Sequence, residues 1–136
     1  PMAMSQYGAL PGLNVLDALA TRRGHQDQTF TAVGYGLQEI HPIAEFASAL
    51  RVRMFARPHL IAINVPGFTG DFSVLLSNNH STGGTCFGDS GGPNFIGTSN
   101  VIGGVTSFGL NGQCAGTGGV YRIDRADDLD WIASFF

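Results

Sequence analysis

Closely spaced glycines are the feature that most constrains the fold of this chain. Glycine occupies 20 of the 136 positions and, together with six prolines, interrupts the chain at short intervals. Both residue types mark turns. Between them lie short segments that are apolar or alternate apolar and polar residues, which is typical of β-strands. The sequence therefore predicts an all-β domain with many turns.

These segments predict six or so strands and two helices. The first helix is short, begins after Asn14 as its N-cap and ends at Leu19. The second covers residues 127–136, where aspartates favour the N-terminus and apolar residues recur at helical spacing. In the segment 50–56, Leu50, Val52, Met54 and Ala56 are expected to face the core and the arginines to face solvent. The strand segments are 29–37, 50–56, 60–65, 72–76, 94–97, 101–108 and 120–123.

Composition excludes several classes of function. Hydrophobic residues make up 43% of the chain, but no apolar run approaches the roughly 20 residues that span a bilayer, so we expect no membrane partner. The net charge is -3, and the seven basic residues, all arginines, are scattered along the chain. Nucleic-acid binding therefore has no electrostatic support. Since no metal or cofactor motif is present, we expect neither a metal nor a cofactor.

The segment from Gly84 to Pro93 carries the chemistry. It reads Gly-Thr-Cys-Phe-Gly-Asp-Ser-Gly-Gly-Pro, and its glycines let the backbone approach a ligand closely around Ser90. The N–H groups of Gly88 and Ser90 can converge on one point, as the donors of an oxyanion hole do. A buried carboxylate at Asp89 can hold the loop if a cation meets it. A glycine-rich surface turn is the alternative interpretation.

The sequence from Gly88 to Pro93 resembles the active-site signature of the chymotrypsin-like, or trypsin-like, serine proteases. Further similarities follow in the order and nearly the spacing of that family, and the resemblance spans residues 29–136. Val33-Gly34-Tyr35-Gly36 is similar to the segment that opens the second barrel, and Ser107-Phe108-Gly109 is similar to the segment that pairs with the substrate backbone. Gly119-Val120-Tyr121 is similar to the back of the specificity pocket, and Leu129-Asp130-Trp131-Ile132 is similar to the start of the C-terminal helix.

The resemblance implies a fold and a division of the chain. Residues 29–136 would form a six-stranded antiparallel Greek-key β-barrel with a C-terminal α-helix, the second barrel of the chymotrypsin fold. Residues 1–28 would be an irregular entry segment with a short helix. The implied activity is that of a serine endopeptidase.

The resemblance also assigns roles to residues. Ser90 would be the nucleophile, the N–H groups of Gly88 and Ser90 the oxyanion hole, and Asp89 the carboxylate that locks the loop. Gly84 would be the floor of the specificity slot, and because it is uncharged, an apolar or aromatic side chain is expected there. The residues implied in substrate binding are Gly84, Thr85, Phe87, Ser107, Phe108, Gly109 and Gly119.

The two cysteines, Cys86 and Cys114, fall where the family has a disulfide between the walls of the specificity pocket. Two reduced core cysteines are the alternative. A disulfide implies a secreted, extracellular protein.

No residue of this sequence matches the histidine that acts as general base in the family, or the aspartate that orients it. None of His25, His41, His59 and His80 stands in the Ala-His-Cys context of the family. We therefore expect a fragment that is inactive alone, whose partners are a peptide or protein substrate and the missing N-terminal barrel. Without the N-terminal amine of that barrel to meet Asp89, the serine loop is expected to be zymogen-like. The alternative function is a non-catalytic binding protein built on the same barrel.

Overall fold

The computed structural model describes residues 3–19, 27–41, 46–48 and 51–136, with the backbone alone for 41 and 46–48. The expectations for His25 and Leu50 lie outside this part of the chain. No helix among the described residues is long and apolar enough to cross a membrane.

Short strands dominate the described chain, as the glycine spacing predicts. A 3₁₀ helix, Val15–Leu19, precedes them, and one α-helix, α1 (Ala126–Ala133), follows. The strands are β1 (Phe30–Gly34), β2 (Glu39–His41), β3 (Phe46–Ser48), β4 (Met54–Ala56), β5 (Leu60–Ile63), β6 (Ser73–Asn78), β7 (Pro93–Ile96), β8 (Ile102–Gly109) and β9 (Gly116–Arg122).

Seven strands form one curled antiparallel sheet. Their order is β4-β1-β7-β8-β9-β6-β5, while β2 and β3 pair with each other. A bridge between Thr29 and His59 joins β1 to the start of β5, so the two ends of the order meet. The prediction of an all-β antiparallel barrel with a C-terminal helix is confirmed.

A proline separates two strands of the sheet, which has seven strands where the resemblance implies a six-stranded barrel. Pro58 lies between β4 and β5 and has no N–H for a ladder, but its carbonyl accepts a hydrogen bond from the Phe30 N–H at 2.9 Å. The Leu60 N–H donates to the carbonyl of Gln28 at 2.8 Å. The chain therefore bends at Pro58 and pairs with β1 on both sides of the bend.

Two local predictions are wrong. The segment 50–56 does not bury its expected face, since Val52 and Met54 are more than half exposed. Arg51 has φ 51°, a left-handed conformation that a strand does not contain, so β4 begins only at Met54. Asn14 also has φ 53°, and its side-chain oxygen accepts from Arg125 at 2.8 Å instead of capping the 3₁₀ helix.

The barrel interior is filled by apolar side chains from the 3₁₀ helix and four strands. Helix α1 contributes no buried residue. It begins close to the predicted start of 127 and carries two aspartates in its first turn, but it ends at Ala133 instead of 136. The fully buried core residues are Leu16, Phe30, Leu60, Val74, Leu76 and Val120.

A buried ion pair fastens the N-terminal segment to the barrel. Arg122 is fully buried and donates from Nε and Nη2 to the two carboxylate oxygens of Asp124, at 2.8 and 2.9 Å. The same guanidinium contacts the half-exposed Asp17 at 2.8 Å and Asn64 at 2.9 Å. Asp124 also accepts from the Leu16 N–H at 2.9 Å. The pKa of Arg122 is raised: desolvation opposes the shift, but hydrogen bonds and charge attraction from Asp124 and Asp17 outweigh it.

Candidate active site

Ser90 lies on a tight loop between β6 and β7. The loop turns where the Asp89 N–H donates to the Cys86 carbonyl at 3.0 Å, with Gly88 at φ 95° and Gly91 at φ 79°. A Cβ on Gly88 would lie 3.0 Å from the Gly36 Cα. Because position 88 combines positive φ with backbone on one side, only glycine fits there without strain.

The far side of the loop is tied to β8. The Gly91 N–H donates to the Thr106 carbonyl, and the Thr106 N–H donates to the Gly92 carbonyl, both at 2.9 Å. Asn94, fully buried, donates to the Thr106 hydroxyl at 3.0 Å. These contacts fix the residues that follow Ser90 against the sheet.

Asp89 is held by backbone donors. Its Oδ1 accepts from the Gly36 N–H at 2.8 Å, and its Oδ2 accepts from the Cys86 N–H at 2.9 Å. The carboxylate packs directly on Gly34, where a side chain would overlap it. The sequence predicts a zymogen-like loop for want of an amine at this carboxylate. Among the described residues, Asp89 has two backbone N–H partners.

The two predicted oxyanion donors have no acceptor in the part of the chain that the structure describes. Within the described residues, the N–H groups of Gly88 and Ser90 donate to no backbone or side-chain group. Ser90 is exposed, and its hydroxyl makes no hydrogen bond there either. Backbone donors without an acceptor and an accessible hydroxyl are two of the features that acyl transfer at a serine requires.

No described residue takes the place of the general base. His59 is half-buried at the Thr29 bridge, and its N–H donates to the Ser77 hydroxyl at 2.9 Å. His80 is exposed on the loop after β6. Neither makes a hydrogen bond to Ser90.

A disulfide joins Cys86 and Cys114, with 5.3 Å between their Cα atoms. The pairing implied by the resemblance is therefore present, and the alternative of two reduced cysteines is wrong. The bridge spans 28 positions of sequence. On the chain-entropy model a loop of this length contributes roughly 3–4 kcal/mol of stability.

A bulge in the pairing of β8 with β9 sets which residues of the two strands lie opposite each other. Phe108 lies opposite Gly119, and Gly109 opposite Gly118. The Phe108 ring packs on Gly119, whereas a Cβ on Gly118 would lie 3.2 Å from the Thr85 Oγ1. Gly118 is thus the glycine of β9 that faces Thr85, while Gly119, which the resemblance implies in substrate binding, faces the Phe108 ring.

A cleft of about 550 Å³ lies beside the disulfide. The segment Gly84 to Cys86 lines it together with Cys114 and Asp89, as do apolar side chains from the β1–β2 connection and β4. The other predicted substrate-binding residues lie apart from its lining. Phe87 and Ser107 are exposed, Phe108 is half-buried against Gly119, and Gly109 is exposed at the end of β8.

Comparison with known proteins gives the family of the chain. The family model named Trypsin matches residues 18–132. The chain belongs to the trypsin family. A solved structure of a mutant of human heparin binding protein has the same fold, with a TM-score of 0.63 at 23% identity. The match covers 92% of this chain and 47% of that protein, so the chain spans about half of its length. No curated protein matched the sequence.

Proposed function

We propose that this trypsin-family chain is the serine-bearing half of a secreted endopeptidase. The observation that carries the proposal is the exposed Ser90 hydroxyl beside two N–H groups, of Gly88 and Ser90, that have no acceptor among the described residues. The Asp89 carboxylate supports the proposal because its two hydrogen bonds hold the loop between Gly88 and Ser90.

The proposed reaction is acyl transfer. The Ser90 oxygen attacks the scissile carbonyl carbon, and the oxyanion that forms accepts hydrogen bonds from the two N–H groups. The carbon–nitrogen bond then breaks, the amine leaves with a proton, and water releases the acyl group from Ser90. Ser107 has no partner on β9 because the register of β8 shifts there. Its backbone could therefore pair with the backbone of an extended peptide substrate.

The proton taken from Ser90 needs a base that the described residues do not offer to it. We infer that the missing first barrel supplies the histidine and its aspartate. A serine protease site that has lost members of its triad retains only about 10³–10⁴-fold acceleration over water. The chain alone is therefore expected to be inactive on peptides, and no cofactor is required for the reaction.

The test is labelling of Ser90 by a serine-directed phosphonate, before and after a first-barrel fragment is added. We expect slow labelling of the chain alone, rapid labelling of the complex, and none with Ser90→Ala. Ser107→Ala is the control, since it keeps the nucleophile and should still label. A complex that binds both barrels yet leaves Ser90 unlabelled would refute the proposal.

The absence of a base among the described residues favours a second candidate, a non-catalytic binding protein on the same barrel. The structural neighbour is named for binding heparin, a polyanion, whereas this chain has a net charge of -3. A binding function here would therefore be directed at peptide or protein. Under this candidate the phosphonate leaves Ser90 unmodified in every combination.

A further inference from the structure

We propose that Asn78 forms the base of the specificity slot and selects an uncharged side chain that ends in a hydrogen-bond donor. The selected side chain belongs to the substrate residue just before the scissile bond. This inference rests on the proposed function and names its substrate class. Asn78 lies on β6, six positions before Gly84, and therefore outside the serine motif.

Asn78 occupies the space that a side chain at position 84 would fill. It is the last residue of β6 and pairs with Gly116 on β9. A Cβ placed on Gly84 would overlap the Asn78 amide. Glycine at 84 is therefore required by Asn78, and the chemistry of the floor comes from the asparagine instead of from position 84.

The orientation of the Asn78 amide is fixed by one strong contact. Its Nδ2 donates to the Thr85 carbonyl at 2.7 Å. This bond leaves Oδ1, which lies against Gly84, as the acceptor of the amide, and within the described residues Oδ1 accepts no hydrogen bond. Both Asn78 and Thr85 line the cleft beside the disulfide.

The Thr85 hydroxyl adds a second polar group at the same place. It points toward Gly118, where a Cβ would lie 3.2 Å away, and it has no hydrogen-bond partner in the described chain. An acceptor at Asn78 and a hydroxyl at Thr85 together match a phenol or a carboxamide, each of which donates and accepts.

The expected preference is for tyrosine over phenylalanine and for glutamine over methionine. Each pair differs little in size, so the apolar contribution of the slot is nearly constant within a pair. An apolar end would leave Asn78 Oδ1 without water and without a donor. A lysine or arginine would place a charge against a neutral amide. One neutral hydrogen bond predicts a preference of roughly three- to tenfold in kcat/KM.

The experiment compares peptides that differ only in the residue before the scissile bond, on the chain joined to its first barrel. The wild type should prefer tyrosine to phenylalanine by the stated factor. Asn78→Ala should reduce this ratio to near one while hydrolysis of the phenylalanine peptide continues. Asn78→Asp should shift the preference toward lysine and arginine, because it places a carboxylate at the floor.

Asn79→Ala is the matched control. Asn79 also lines the cleft, but its Oδ1 accepts from the Ser81 and Thr82 N–H groups at 2.9 and 3.1 Å. Its loss should leave the tyrosine-to-phenylalanine ratio unchanged. An equal ratio in wild type and Asn78→Ala would overturn the inference while active hydrolysis upholds the proposed function. Absence of phosphonate labelling at Ser90 would instead overturn the proposed function and this inference with it.

Discussion

The ion pair between Arg122 and Asp124 allows a quantitative prediction about stability. Asp124 and Asp17 both contact the Arg122 guanidinium at 2.8 Å, but the side chain of Asp124 is fully buried and that of Asp17 is 49% exposed. The two carboxylates therefore test how burial changes the contribution of a carboxylate–guanidinium contact to the free energy of unfolding. Asp124→Asn and Asp17→Asn are the matched substitutions.

Asp124→Asn leaves the buried guanidinium without its bidentate partner, a loss that typically costs about 3–5 kcal/mol. Since asparagine keeps an acceptor for the Leu16 N–H, we expect the lower end, about 3 kcal/mol. The total free energy of unfolding of a native protein is roughly 5–15 kcal/mol. A loss of this size lowers Tm by roughly 10 °C. Asp17→Asn acts at a solvent-screened contact and should cost about 0.2–1 kcal/mol.

Urea unfolding followed by circular dichroism measures both losses. Equal m-values in wild type and variants would show that the free energy of unfolding, and not the compactness of the unfolded state, has changed. If the two substitutions cost the same, or if Asp124→Asn costs less than Asp17→Asn, the reasoning from burial is wrong.

Two further predictions concern the serine loop and the C-terminal helix. Gly34→Ala should displace the Asp89 carboxylate that packs on it and slow phosphonate labelling of Ser90 in the two-barrel complex, whereas Gly12→Ala, with nothing within 4 Å of its Cβ, should not. The pKa of Tyr121 is raised above 10.0 by burial and by Asp128, which accepts its hydrogen bond at 3.2 Å. A raised pKa in the folded state means stability that is present below pH 10 and lost as pH rises further. Tyr121→Phe should therefore weaken the alkaline loss of stability in pH-dependent urea titrations, and an unchanged slope above pH 10 would contradict this.

The sequence predicted the fold well where the pattern is local. The alternating and apolar segments become strands, and the aspartates of the last segment precede a helix that forms despite burying none of its residues. The segment 50–56 failed because alternation carries no information about backbone conformation. Arg51 takes a left-handed conformation that ends any strand, and nothing in its alternating neighbours indicates this.

The candidate site was predictable only as far as the motif reaches. Ser90 and its glycines are contiguous, so their placement follows from one loop. The slot depends on contacts between distant segments. The bulge in β8 places Phe108 opposite Gly119 and Gly109 opposite Gly118, and Asn78 fills the space beside Gly84. Neither contact can be read from residue spacing alone.

The bend at Pro58 has a consequence for the folding of the chain during its synthesis on the ribosome. The strands on either side of this corner, β4 and β5, pair with β1 and β6. Each of these two partners also needs a neighbour that is synthesised much later, β7 for β1 and β9 for β6. Until Gly116 to Arg122 emerges, β6 presents one unpaired edge of backbone donors and acceptors. During most of its synthesis the nascent chain therefore exposes unpaired strand edges that can aggregate. Translocation across a membrane or binding to a chaperone would shield these edges and raise the yield of folded protein.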